Sequence, residues 1–132
     1  IPPFDDFGCL PPGLHGAALP EIEARFGRGS ELRRVQMESV RWMVELAVRA
    51  GVQRIVLNGS FVTDIMEPND VDCVLLFPRG GLKDSAAFKE LRIGLPFLDI
   101  AIVRPKRFEQ YVTRLFALDR HEVPKGMVEV RI

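Results

Sequence analysis

"LNGSFVTDIMEPNDVDCVLL", residues 57–76, decides the fold. An apolar run stops at Gly59-Ser60, a polar turn follows, and a second apolar run carries Asp70 and Asp72 one residue apart. Short β-branched runs bounded by Gly, Pro, Asn and Asp predict two strands, 53–58 and 71–77, with turn chemistry at "EPND", 67–70. In a strand, residues i and i+2 face the same side. Asp70 and Asp72 therefore project together from a segment that otherwise belongs in a core. Like charges this close repel, and burial raises the cost. Such a pair persists where something positive lies between the carboxylates.

Working outward, Asp99 repeats the problem. It interrupts "PFLDIAIV", 96–103, a third predicted strand. If strands 71–77 and 97–103 are neighbours, three carboxylates converge, which is ligand chemistry for a hard cation such as Mg²⁺. The charge distribution agrees. From Ile55 to Pro78 there are four acids and no Lys or Arg. Residues 25–54 hold seven Arg against three Glu, and residues 79–107 hold seven Lys or Arg against three acids. An acidic notch between basic shoulders suits a metal–polyphosphate complex. Gly59 permits close backbone approach, Ser60 adds a hydroxyl, and the turn after a strand offers N–H groups to an anion. Neither G-x-G-x-x-G nor G-x-x-x-x-G-K-[ST] occurs, so a dinucleotide fold and a P-loop are not indicated.

The remaining elements follow from periodicity and caps. Residues 1–17, with four prolines and three glycines, are expected to resist regular structure. Their apolar Ile1, Phe4, Phe7, Leu10 and Leu14 are expected to pack across the domain. A short helix is predicted at 19–26, with Pro20 in its first turn and Gly27 at its end. Ser30 is a suitable N-cap for a long helix over 31–50, stopped by Gly51. Its apolar set is Leu32, Val35, Val40, Met43, Val44, Ala47 and Val48, with Arg33, Arg34, Arg41 and Arg49 mostly between. Trp42, off this stripe, reads as a partly buried packing residue. "FVTDI" is open between a short helix and an irregular loop. Helices are predicted at 83–91 and 106–119, the latter with Phe108, Tyr111, Val112, Leu115, Phe116 and Leu118 as its apolar set. "MVEVRI", 127–132, alternates as a last strand. The predicted order is two helices, then strands and helices in alternation, which is an α/β (α+β) domain with a small mixed sheet flanked by helices.

The totals are consistent with this. A chain of 132 residues suggests one domain, large enough to fold without disulfide or metal, with 1–29 packing on it as a leader and short helix. Zero formal net charge argues against a nucleic-acid or membrane binder held by bulk charge. Two isolated cysteines, Cys9 and Cys73, make neither a disulfide framework nor a zinc site, and Cys73 reads as buried and reduced. No run of 18 apolar residues occurs, and the opening residues lack the pattern of a signal peptide. A cytoplasmic location, with no membrane association, is the expectation. His15 reads as a hydrogen-bonded loop histidine and His121 as a surface turn residue.

The segment "NGSFVTDIMEPNDVDCVLL" followed by "FLDIAIV" resembles the polymerase-β-like nucleotidyltransferase superfamily, and the leader "FGCLPPGLHGAALPEIEARFG" and the ending "KGMVEVRI" resemble a group of small bacterial members of it. The shared elements are Gly59-Ser60 after the first strand, Asp70-x-Asp72 about ten residues on, and Asp99 on a later strand; they span about 30–119. The resemblance implies a nucleotidyltransferase fold and transfer of a nucleoside monophosphate from an NTP such as ATP to a hydroxyl. It implies two Mg²⁺ ions held by Asp70, Asp72 and Asp99, with Asp99 also a candidate proton acceptor. Where many relatives place Arg, Lys or a second Gly after Gly-Ser, this chain has Phe61, Val62 and Thr63. The nucleotide contacts would then come from Gly59, Ser60, the Phe61 backbone and Thr63. Arg79, Lys83, Arg104 and Lys106 are candidate basic helpers. The acceptor could be a protein, a tRNA end or a small molecule. The alternative is a weakly active or inactive nucleotide-binding partner of toxin–antitoxin type, working with a protein partner or as a homo-oligomer.

Overall fold

The computed structural model describes residues 1–115 and 125–132. The predicted helix over 106–119 therefore lies partly, and His121 wholly, outside the described residues.

Five strands form one mixed sheet: β1 (Gly13–Ala18), β2 (Ile55–Asn58), β3 (Val71–Leu76), β4 (Leu98–Val103) and β5 (Gly126–Arg131). Their spatial order is β1-β5-β2-β3-β4. β1 is parallel to β5, β5 and β3 are antiparallel to β2, and β3 is parallel to β4. The predicted adjacency of the Asp72 and Asp99 strands is met. Among the described residues four helices accompany the sheet: α1 (Leu19–Phe26), α2 (Glu31–Ala50), α3 (Ser85–Ile93) and α4 (Pro105–Gln110), the last running into one π-helical turn at Tyr111–Leu115.

The caps explain the boundaries of α2. Ser30 Oγ accepts the Arg33 N–H at 3.1 Å, and Gly51, at φ 96°, closes the helix in the left-handed conformation. Asp84 caps α3 through the Ala87 N–H at 3.0 Å. Alternation in the strands separates two cores. Ile55, Leu57, Cys73, Leu75, Val128 and Val130 belong to the larger one, with Ile22, Phe26, Met37, Met43, Ala47 and Leu91 from α1–α3. Val56, Val74 and Met127 belong to a smaller one, with Phe108 of α4 and, more loosely, Tyr111 and Val112.

Three expectations are corrected. The Pro/Gly-rich opening does contain regular structure, because β5 supplies a parallel partner ladder for the small residues of 13–18. Phe7, expected to pack, is 89% exposed, while Leu10 is buried and Phe4 stacks near Phe26 at 6.0 Å. Trp42 is 47% exposed on the outer face of α2 rather than partly buried. "FVTDI" resolves into a single 3₁₀ turn, Ser60–Val62, followed by irregular chain.

Candidate functional site

The site is built by the end of β2 and the beginnings of β3 and β4. Asn58 is paired with Asp72, and Asp72 is paired with Asp99. Paired residues share a face, and neighbouring strands lie about 4.8 Å apart. Asn58, Asp72 and Asp99 therefore form one row across three strands, on the face that carries the smaller core. Asp70 shares the parity of Asp72 but stands one residue before β3, exposed. Among the described residues, no three His, Cys, Asp or Glu side chains close into a metal-binding group. Asp72 and Asp99 are brought side by side; Asp70 stays at the rim.

The Asp72 carboxyl is half-buried and held above the usual carboxylate range. Burial is the main cause, and the Asp99 and Asp70 charges add to it, while Lys125 opposes them. Lys125, immediately before β5, was not among the basic residues expected here. Its separation of 53 residues from Asp72 leaves no local signal in the sequence. The carboxylate rests on Gly59: a Cβ there would lie 2.6 Å from Asp72 Oδ2. Gly59 also has φ 88° and ψ −166°, a conformation open in practice only to glycine. Close approach and backbone shape both require the residue.

The turn after Gly59 is tightly tied. Ser60 Oγ accepts the Asn69 N–H at 2.8 Å, joining the start of the turn to the approach of β3. Thr63 Oγ1 donates to Ser60 O at 2.6 Å and accepts from the Ile65 N–H at 3.3 Å, so this hydroxyl serves the turn itself. The Phe61 side chain is buried, leaving its backbone as the part that can meet a ligand. His15 is bonded to Pro11 O at 2.7 Å, as a structural histidine would be. Cys73 is buried, and its thiol is pushed up by that burial and by the neighbouring acids.

Helix α2 supplies a scaffold that its charges concealed. Arg33 is only 6% exposed. Its guanidinium donates to Phe26 O at 2.9 Å, Phe61 O at 2.8 Å, Thr63 O at 2.8 Å and Ile65 O at 3.1 Å. Ser30 Oγ donates to Met66 O at 3.2 Å, and Gln36 Nε2 donates to Asn69 O at 2.9 Å. Ser30, Arg33 and Gln36 lie three apart, on one helix face, and hold the whole 61–69 connection by its carbonyl oxygens. The spacing of Arg33, Gln36, Met37, Val40, Met43 and Ala47 was a signal for this buried face; treating every Arg as solvent-facing hid it.

A row of one carboxamide and two carboxylates across three strands, beside a glycine-dependent turn, defines an α/β protein with a candidate ligand site at one end of its sheet. The donor set fits a hard cation: carboxylates and a carboxamide, all oxygen, in the number from which Mg²⁺ is commonly held when waters and phosphates complete its shell. The chain belongs to the family described as a family of unknown function (DUF6932), which matches residues 2–131. No curated protein and no solved structure matches it. Among the described residues, no helix is long and apolar enough to cross a membrane.

Proposed function

We propose that this protein is a metal-dependent nucleotidyltransferase, moving a nucleoside monophosphate from an NTP to a hydroxyl of a protein, a tRNA end or a small molecule. The observation that carries the reading is the register: Asp72 and Asp99 are paired on neighbouring strands, directly beyond the Gly59-Ser60 turn. The resemblance to polymerase-β-like nucleotidyltransferases supports it through the same residues.

In this reading Asp72 and Asp99, with Asp70 at the rim, would hold Mg²⁺, which when bound would neutralise the triphosphate and lower the barrier to attack at phosphorus. Ser60 and the N–H groups of Ser60 and Phe61 bind the β- and γ-phosphates. Lys125 adds positive charge opposite Asp72. Asp99 accepts the proton of the acceptor hydroxyl as its oxygen bonds to the α-phosphorus; the bond from that phosphorus to the bridging oxygen breaks, and pyrophosphate leaves. Positioning and charge do most of this work.

A second reading, a nucleotide-binding partner with little catalysis, draws on the Thr63 hydroxyl being spent within the turn and on the absence of a basic residue at 61–63. Incubation with each α-labelled NTP, Mg²⁺ and cell extract separates the two. Label transferred by the wild type and not by Asp72→Ala supports transfer. Nucleotide-dependent thermal stabilisation without labelling supports binding alone, and neither signal rejects both.

A further inference from the structure

Asn58 is the anomaly of β2. The strand reads Ile55-Val56-Leu57-Asn58, and all four residues are buried. Asn58 is 4% exposed, and its Oδ1 has no hydrogen-bond partner among the described residues. A buried acceptor left unpaired is destabilising, and asparagine is also a poor strand former. A hydrophobe would serve packing better on both counts.

Its place in the row gives the reason. The Asn58 side chain shares a face with Asp72, its cross-strand partner, and Asp72 with Asp99. The unpaired oxygen thus belongs to the same cluster as two carboxylates. Acceptors gathered beside acceptors repel unless a positive group stands among them. Lys125 acts on Asp72 from a distance, but among the described residues no Lys or Arg makes an ion pair with Asp72 or Asp99. A carboxamide oxygen, unlike a third carboxylate, adds a donor without adding charge.

We propose that Asn58 is a cation-binding residue whose side-chain carbonyl supplies the neutral donor of an oxygen-only divalent site shared with Asp72 and Asp99. The inference rests on the metal site of the proposed function but not on nucleotidyl transfer. It assigns the row, rather than the rim residue Asp70, as the inner part of the site.

The test is titration of the full chain with Mn²⁺ alone, followed by electron paramagnetic resonance, for wild type, Asp72→Ala, Asn58→Leu and Asn58→Asp. Wild type is expected to bind Mn²⁺, and Asp72→Ala to lose it. Asn58→Leu should bind about 10-fold more weakly or worse, with a melting temperature in metal-free buffer equal to or above wild type, because an unpaired buried oxygen has been removed. Asn58→Asp is decisive. If Asn58 merely steadied Asp72 by donating through its amide, the aspartate has no donor and binding falls; as a ligand, the aspartate keeps or tightens it. Wild-type affinity in Asn58→Leu, or loss of Mn²⁺ in Asn58→Asp, overturns the proposal. Should Asn58→Leu fail to fold, Asn58→Asp decides alone. A wild type that binds no Mn²⁺ removes both this proposal and the metal site. A wild type that binds Mn²⁺ through Asn58 yet transfers no nucleotide overturns the transferase reading only.

Discussion

Replacing Arg33 by Ala should cost the domain a large share of its stability. The guanidinium holds four backbone carbonyls together, and among the described residues it forms no ion pair with a carboxylate. Its bonds to Phe26 O and Phe61 O are buried. A buried carbonyl that loses its donor costs about 1–3 kcal/mol. The bonds to Thr63 and Ile65 are partly open, so water replaces much of what they lose. The sum is about 3–5 kcal/mol, against the 5–15 kcal/mol typical of a folded domain. Unfolding entropy of about 2.1 cal/mol/K per residue gives about 0.28 kcal/mol/K for 132 residues, so the melting temperature should fall by about 11–18 °C. Arg33→Lys keeps the charge but not the planar fork, and should recover less than half of the loss. Arg34→Ala is the control: Arg34 pairs with Glu31 in solvent, and its removal should matter by no more than about 0.5 kcal/mol. Circular dichroism melts decide the matter. A fall below about 4 °C for Arg33→Ala, or equal falls for Arg33→Ala and Arg34→Ala, would refute the view that this residue braces the 61–69 connection.

Further outcomes concern the site itself. Asp72 is raised in the folded state, so folding favours its protonated form; the stability it contributes is present below the unfolded carboxylate range and is lost as pH rises through the raised value. Asp72→Asn should therefore melt higher than wild type at neutral pH without divalent ions, the gap closing on acidification; a gap that widens in acid contradicts the assigned direction. Gly59→Ala should cost about 1–3 kcal/mol from backbone strain alone, and more from the approach to Asp72 Oδ2, with a readable drop in urea midpoint. Lys125→Met should weaken ATP binding by up to about fivefold, the about 1 kcal/mol reach of a partly exposed charge, measured by calorimetry. Unchanged affinity would remove Lys125 from the charge that favours the triphosphate.

Much of the architecture was legible where local signals agree. Ser30 and Gly51 delimit α2 as their chemistry requires, and short apolar runs bounded by turn residues located β3 and β4. The pairing of Asp72 with Asp99 was legible only as a condition, because strand adjacency is a long-range property. β1 was missed because its own glycines and the prolines just before it oppose regular structure locally, and its ladder comes from residues more than a hundred positions away. Arg33 was missed because its polar type set it between the apolar positions of α2, and Asn58 because it was read only as the end of a strand. In both cases the fold buries the group, one because four carbonyl oxygens receive it, the other against an oxygen row.

The strand order has a bearing on how the chain assembles. β2, β3 and β4, which carry the acidic row, are consecutive in the sequence, whereas β5 is inserted between β1 and β2. β1 can take its place in the sheet only once residues 126–131 have been made to pair with it. The half that carries the row can nucleate early, and closure of the opposite half is the late event that long-range parallel pairing imposes.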